Sequence, residues 1–468
     1  MDEIVGNVQD ALTRVTRMGA EYADARIQAY EYELIVYDKN RVSDYSYSTT
    51  RGVGFRVFYA GRQGYASTTA TDKQSLVEAA LQALKNAKAI AAASKPSGPT
   101  ADSAIGKDTA ESSYKVDPFT VPEEDKIGLL RKAVETALAV DGVVSAIARF
   151  GAQKDRRIIV SSDGGLVRVS SVTTGLSLAA VARSEKGLEI VGDSWSRVSG
   201  WEYVSSLDVD SLSAETARLS VEASRASVPR SGRYTVVLEP EVVGLLMHEA
   251  LGHASEGDLV VAGASILRGR LGERLAGEHV TVVDDGLHPD GYYVPYDDEG
   301  VRKGKTVVIE KGVLRRYLAG RAEAAVLGQD PTGNSRVMNY KSPILVRQTN
   351  YYIEPGDWKP EEIMEEAGNA IYVTAKGSKG GEVDPAAGTF TFSVGISWEL
   401  EKGERKRPLR GVTLSGMILD VLKSIRAVGS DLKVKTSVFG GCGKNGQLVR
   451  VGDGGPHLLV ENLVIGGR

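Results

Sequence analysis

Short stretches in which apolar and polar residues alternate recur along the chain between a few segments of helical period, and this mixture restricts it to an α+β architecture. Ile4, Val5, Val8, Leu12 and Val15 fall at helical spacing up to Gly19, which predicts an amphipathic first helix. Alternation over 24–37, 52–59 and 63–67, with a turn-like Tyr59-Ala60-Gly61-Arg62, predicts antiparallel strands. A second helix is expected over 72–93, capped by Asp72. Residues 95–115 are rich in Pro, Ser, Gly and Thr without an apolar period and read as a surface loop. Beyond them a helix is predicted over 122–140, strands over 144–150, 156–161, 166–172 and 176–182, and a helix over 212–226.

Ser227-Val228-Pro229-Arg230-Ser231-Gly232 reads as a boundary between residues 1–226 and 233–468, in keeping with a length too great for one ordinary core. After it come a short buried strand at 233–238 and a helix whose first turn accepts Pro240. A hairpin is expected at 306–310 and 313–318 about Lys311-Gly312, and further strand-like runs make this half β-rich. No fixed-period repeat is found.

Charge and cysteine content exclude several classes of function. The 57 Lys and Arg nearly balance 61 Asp and Glu, so a net charge of -4 provides no broad field for nucleic acid or anionic lipid. Cys442 is the one cysteine, which rules out an intrachain disulfide and fits a reducing compartment. The acidic start does not read as a signal peptide, and no 18 apolar residues run together, so the expectation is a cytoplasmic protein outside the membrane.

Two of the five histidines bracket an acidic residue in His248-Glu249-Ala250-Leu251-Gly252-His253. From 468 positions, five histidines and 61 acidic residues, roughly 0.007 such matches arise by chance. The pattern follows metallopeptidase logic, in which two histidines of one helix bind zinc and the neighbouring Glu activates the zinc-bound water. The spacing is one residue longer than usual. In a regular helix residues five apart diverge by about 140°, so a distortion must fall before His253, and Gly252 is read as its source, through a helix end or a π-bulge. A hydrolytic zinc needs a third protein ligand and an open position. Cys442, in the glycine-rich stretch 439–444 read as a flexible loop that lets a thiolate approach closely, is the leading candidate, with Glu256, Asp258, His279, His288 and His457 as alternatives.

Blander readings cover the rest. Taken singly, His279, His288 and His457 read as satisfied polar residues, Asp297-Asp298-Glu299 as a solvated turn, and 376–381 lacks the spacing of a phosphate loop.

Taken together, residues 247–258, Asp297-Asp298-Glu299-Gly300, Thr332-Gly333-Asn334 and Cys442-Gly443-Lys444-Asn445-Gly446-Gln447 resemble the TldD branch of the TldD/PmbA metallopeptidase family. Residues 51–56 and 64–68 resemble its N-terminal domain less distinctively. The resemblance implies an N-terminal mixed α/β domain, a β-rich metallopeptidase domain carrying the zinc-binding helix, one Zn(2+) per catalytic subunit on His248, His253 and Cys442, and Glu249 as the catalytic residue. It also implies short or unfolded peptide substrates and a TldE/PmbA-like paralogue as heterodimer partner, a homodimer being the other arrangement. Two other readings are carried forward: a peptide-binding or assembly subunit with a structural zinc, and a hydrolase using Cys442 as nucleophile.

Overall fold

A computed structural model describes residues 1–93 and 105–467. Of the loop expected at 95–115, residues 95–104 lie outside the described residues, and Lys107–Glu111 of the remainder forms a strand.

The N-terminal half is one seven-stranded sheet made from β1 (Tyr22–Asp38), β2 (Arg41–Tyr59), β3 (Arg62–Thr68), β4 (Lys107–Glu111), β5 (Val143–Ser161), β6 (Leu166–Ser184) and β7 (Gly187–Arg197). Six run in the order β3-β2-β1-β5-β6-β4, and β7 pairs with β6. Pairing is antiparallel except for β4 with β6. The strands are longer than alternation alone predicts. The runs 144–150 and 156–161 join into β5, and 166–172 and 176–182 into β6. β2 begins eleven residues before Gly52, because its exposed Ser, Tyr and Thr residues pair with β1 without contributing an apolar face. Strand β7, also missed, has the alternation but exposes Leu188 and Ile190.

Helices cover the sheet where its apolar residues collect. Val5–Arg17 and Lys73–Ala93 bury Val8, Leu12, Leu76 and Leu84 against Ile27, Phe55 and Val57. Asp72 accepts the Ser75 N–H at 2.9 Å, as expected of the cap. Glu123–Leu138 and Val209–Arg225 form a second core with Phe150, Leu176 and Leu178.

Beyond residue 231, β8 (Gly232–Leu238) lies inside a nine-stranded sheet, between Ala370–Val373 in parallel and Leu458–Gly467 antiparallel. A six-stranded sheet contains Val282–Asp285, Asn350–Ile353, Gly452–Gly455 and Lys433–Thr436. The hairpin about Lys311-Gly312 pairs Lys305–Glu310 with Val313–Leu314, and both turn residues have positive φ, 45° and 80°. Between the sheets runs the chain that leaves β8: the helix Pro240–Leu246 and its continuation, whose Val242, Leu246, Met247, Leu251 and Ala254 share one core with Val236, Val282, Tyr351, Phe392 and Leu414. The α+β class is therefore seen, with a mixed sheet-and-helix N-terminal half and a β-rich C-terminal half around one buried helix.

Candidate metal centre

That buried helix changes pitch where the histidines lie. Pro240–Leu246 is α-helical, Met247–Gly252 is a π-turn, and His253–Ser255 tightens to 3-10. In a π-turn the N–H of residue i+5 bonds back to residue i, and the His253 N–H donates to the His248 carbonyl. Residues five apart then share a face, and the two imidazole centroids are 5.3 Å apart at 82°. The five-residue spacing is thus accommodated by the pitch change anticipated from the sequence.

Gly252 serves this geometry differently from the expectation. Its φ of -60° and ψ of -51° are ordinary helical values, so backbone freedom is not needed there. What matters is space. A Cβ at this position would lie 2.1 Å from the Gln348 Oε1, and the Gln348 Nε2 donates to the His248 carbonyl at 3.0 Å.

Cys442 comes from a different element. The stretch read as a flexible loop is a hairpin, Cys442–Lys444 with Gln447–Val449, turning at Asn445 and Gly446 with φ of 49° and 74°. Asn-Gly is the sequence signal for such a turn. Buried Arg347 holds the hairpin, donating to the Cys442 carbonyl at 2.5 Å and to the Gln447 carbonyl at 3.4 Å. The Cys442 Sγ then stands 3.2 Å from the His253 Nε2, and one donor atom from each of His248, His253 and Cys442 lies within 4.8 Å of the others. All three residues are buried, and the His248 Nδ1 has no hydrogen-bond partner. Two imidazoles, a thiolate and an unsatisfied buried nitrogen make a donor set suited to zinc.

Behind the histidine stands a carboxylate. The Glu256 Oε2 meets the His253 Nδ1 at 3.0 Å, leaving Nε2 directed at the cysteine, and Lys444 bonds Glu256 at 2.8 Å and Asp258 at 2.7 Å. This is the outer partner that a metal-binding histidine ordinarily keeps. Burial alone would raise the Cys442 thiol, but the two histidines outweigh it and bring it down to about 4. Burial would likewise lower His253, yet Glu256 and Cys442 push it to about 11, and Cys442 with Glu249 take His248 to about 9. Glu256, opposed by burial, is held at about 2 by His253 and Lys444. Both histidines therefore favour the thiolate form of Cys442. Glu249 points to the same place, partly exposed, with its Oε2 3.7 Å from the His253 Nε2.

The remaining candidate histidines lie elsewhere, while Glu256 and Asp258 stand beside the cluster without being among the three gathered donors. His279 bonds the Ile425 carbonyl at 2.8 Å, His457 sits between Asp431 and Tyr372, and His288 packs on Tyr352 with ring centroids 5.2 Å apart. Asp258 and Glu256 engage Lys444. The triplet read as a solvated turn is buried instead: Asp297, Asp298 and Glu299 are 2%, 4% and 2% exposed. Glu299 pairs with Arg56 at 2.6 Å and Asp298 with Arg157 at 2.7 Å, so the triplet fastens the N-terminal sheet to the C-terminal half. Sequence reading missed Gln348, Arg347 and the supporting role of Lys444. The only signal for Lys444 was its place in the motif around Cys442; Arg347 and Gln348 carried none.

Comparison with known proteins gives the same frame. Three family models match in order: PmbA/TldA metallopeptidase domain 1 over residues 23–91, the central domain over 116–223, and the C-terminal domain over 231–467. A metalloprotease of Methanothermobacter thermautotrophicus is 36% identical over 447 residues, 96% of each chain. The chain belongs to the TldD/PmbA metallopeptidase family. Among other relatives, a zinc metalloprotease TldD homolog of Saccharolobus solfataricus is 29% identical, covering 97% of this chain and 99% of its own. The fold matches solved TldE of Thermococcus kodakarensis at 21% identity and TM-score 0.77, over 98% and 100% of the two chains. It also matches a Thermotoga maritima protein described as a modulator of a DNA gyrase, at 22% identity and TM-score 0.79, over 98% and 99%. Membership and the names of the TldD/PmbA relatives support a zinc metalloprotease. Among the described residues, no helix is long and apolar enough to cross a membrane.

Proposed function

We propose that this chain is a zinc-dependent peptidase in which His248, His253 and Cys442 hold one zinc ion and Glu249 is the catalytic acid-base, acting on short or unfolded peptides in the cytoplasm. One observation carries the reading: the π-turn that turns His248 and His253 toward Cys442 also leaves Glu249 at the edge of the same cluster. Zinc, when bound, supplies a Lewis acid that polarises the scissile carbonyl and makes water more acidic. Glu249 accepts the proton of the attacking water and returns it to the leaving amine. Glu256 fixes the His253 tautomer through Nδ1, and Lys444 balances the charge of Glu256. Gln348 holds the His248 carbonyl and so the pitch of the turn.

We further propose two structural units, residues 1–226 and 233–468, a division supported by the single sheet that runs through the first of them. A TldE/PmbA-like paralogue is the proposed partner, with a second copy of this chain as the other arrangement. The match to a TldE fold supports a paralogous pair.

A second reading has its own observation. A Cys442 thiolate 3.2 Å from His253, itself oriented by Glu256, is also the arrangement of a cysteine nucleophile. A chelator separates the two. The zinc reading expects peptide cleavage to vanish with metal removal and return with zinc, whereas cleavage that survives in metal-free protein and is blocked by thiol alkylation would establish the nucleophile.

A further inference from the structure

A cavity of about 220 Å³ lies between the N-terminal sheet and the C-terminal half, lined by Gln153 and Arg157 of β5 and by Tyr292, Arg336, Val449 and Arg450, among others. It adjoins the metal centre: Val449 is the residue paired with Cys442 across the hairpin, and Arg336 donates to the carbonyl of Gln348, whose side chain bonds the His248 carbonyl. Its volume is many times the ~10–15 Å³ that one water molecule needs, enough for an amino-acid residue.

The wall carries an excess of positive charge. Three guanidinium groups, Arg157, Arg336 and Arg450, face one carboxylate, Asp155. Asp155 is already engaged by the Gln28 Nε2 and the Arg157 Nε, each at 2.9 Å, and Arg157 also clasps Asp298 at 2.7 Å. Arg336 and Arg450 remain. Arg336 is 7% exposed, yet its hydrogen bond goes to the neutral Gln348 carbonyl at 2.9 Å, and its guanidinium lies 5.6 Å from the Tyr292 ring. Arg450 bonds the Gln153 Oε1 at 2.9 Å and the Gly440 carbonyl. Among the described residues, neither forms an ion pair with a carboxylate. A buried cation is costly unless paired, and a planar guanidinium is matched by the two oxygens of a carboxylate.

We infer that this cavity is a subsite for a carboxylate of the peptide substrate, received by Arg336 and Arg450, so that substrates are selected by a negative group a short distance from the scissile bond. This rests on the peptidase reading given above. The carboxylate has two sources, the C-terminus of the peptide or an Asp or Glu side chain.

The test uses full-length zinc-loaded protein, with the TldE-like partner if activity needs it, and labelled peptides of neutral side chains made as free acid and as C-terminal amide. A third series carries the amide and one Glu at successive positions. Wild type is expected to favour the free acid, or one Glu position, by about tenfold or more in kcat/KM, the scale of a charge-assisted bidentate contact. Arg336→Gln should bring that ratio toward one mainly through KM, with Arg336→Lys intermediate, and Arg450→Gln is the second variant should Arg336→Gln not fold. The free acid and the Glu series identify the source. Fluorescence anisotropy of the same peptides on Glu249→Gln protein separates the two claims. Charge-selective binding without cleavage by wild type would retain the subsite and remove the peptidase reading. Equal binding of acid, amide and all Glu peptides, unchanged in both arginine variants, overturns the inference whatever the cleavage assay shows.

Discussion

Substitution Gly252→Ala isolates the packing that lets two histidines five residues apart share a face. The new methyl would lie 2.1 Å from the Gln348 Oε1 and 2.3 Å from its Cδ, contacts that real atoms do not make, and Gln348 is fully buried. Alanine gains roughly 1 kcal/mol over glycine in a helix interior. Against this stand overpacking, about 1–3 kcal/mol, and the lost hydrogen bond from Gln348 to the His248 carbonyl, about 1 kcal/mol. The net expectation is a loss of about 1–3 kcal/mol, read as a lower denaturant midpoint, with zinc affinity falling about tenfold or more because the carbonyl that anchors the turn is released. Removing the obstruction should help. Gly252→Ala combined with Gln348→Ala should be no less stable than Gly252→Ala alone, a non-additivity expected only if the two side chains collide. A neutral Gly252→Ala, or a double variant whose losses simply add, would refute the steric argument.

Cys442→Ser should retain zinc poorly, whereas Glu249→Ala should keep it and lose peptide hydrolysis by a factor of about a hundred or more; metal analysis and a peptide assay separate these defects. Glu256→Gln should weaken zinc binding about 10- to 100-fold, measured by competition with a chelator. Burial first, and then Glu299, raise Glu323 to about 7. A raised carboxylate contributes stability fully present below about 4.5 and lost as pH climbs through about 7, so Glu323→Gln should gain up to about 3 kcal/mol on wild type between pH 5 and pH 8 in denaturant titrations. A pH-independent difference would contradict it. Unfolded or destabilised substrate proteins should be cut faster than their folded forms at equal concentration, followed as fragments by mass spectrometry.

How far such features could be read from sequence depends on whether their cause is local. The helix opened by Asp72, the hairpin at Lys311-Gly312 and the need for a pitch change between His248 and His253 rest on neighbouring residues, and each appears where residue chemistry requires it. The Asn445-Gly446 hairpin had an equally local signal that was read as mere flexibility. The exposed half of β2 has no apolar face, so only its pairing with β1 defines it. The buried partners of Asp298 and Glu299 are arginines 141 and 243 residues away. The role of Gly252 depends on Gln348, about a hundred residues downstream, which no periodicity could bring to it.

The central claim is that His248, His253 and Cys442 share one zinc ion with a position left open, and X-ray absorption at the zinc edge of protein purified without chelator tests it most directly. The expected result is one zinc per chain with one sulfur near 2.3 Å, two imidazole nitrogens near 2.0 Å and an exchangeable oxygen, the sulfur disappearing in Cys442→Ser. Protein that holds no zinc and takes none up, or a zinc without sulfur in its shell, would contradict the account.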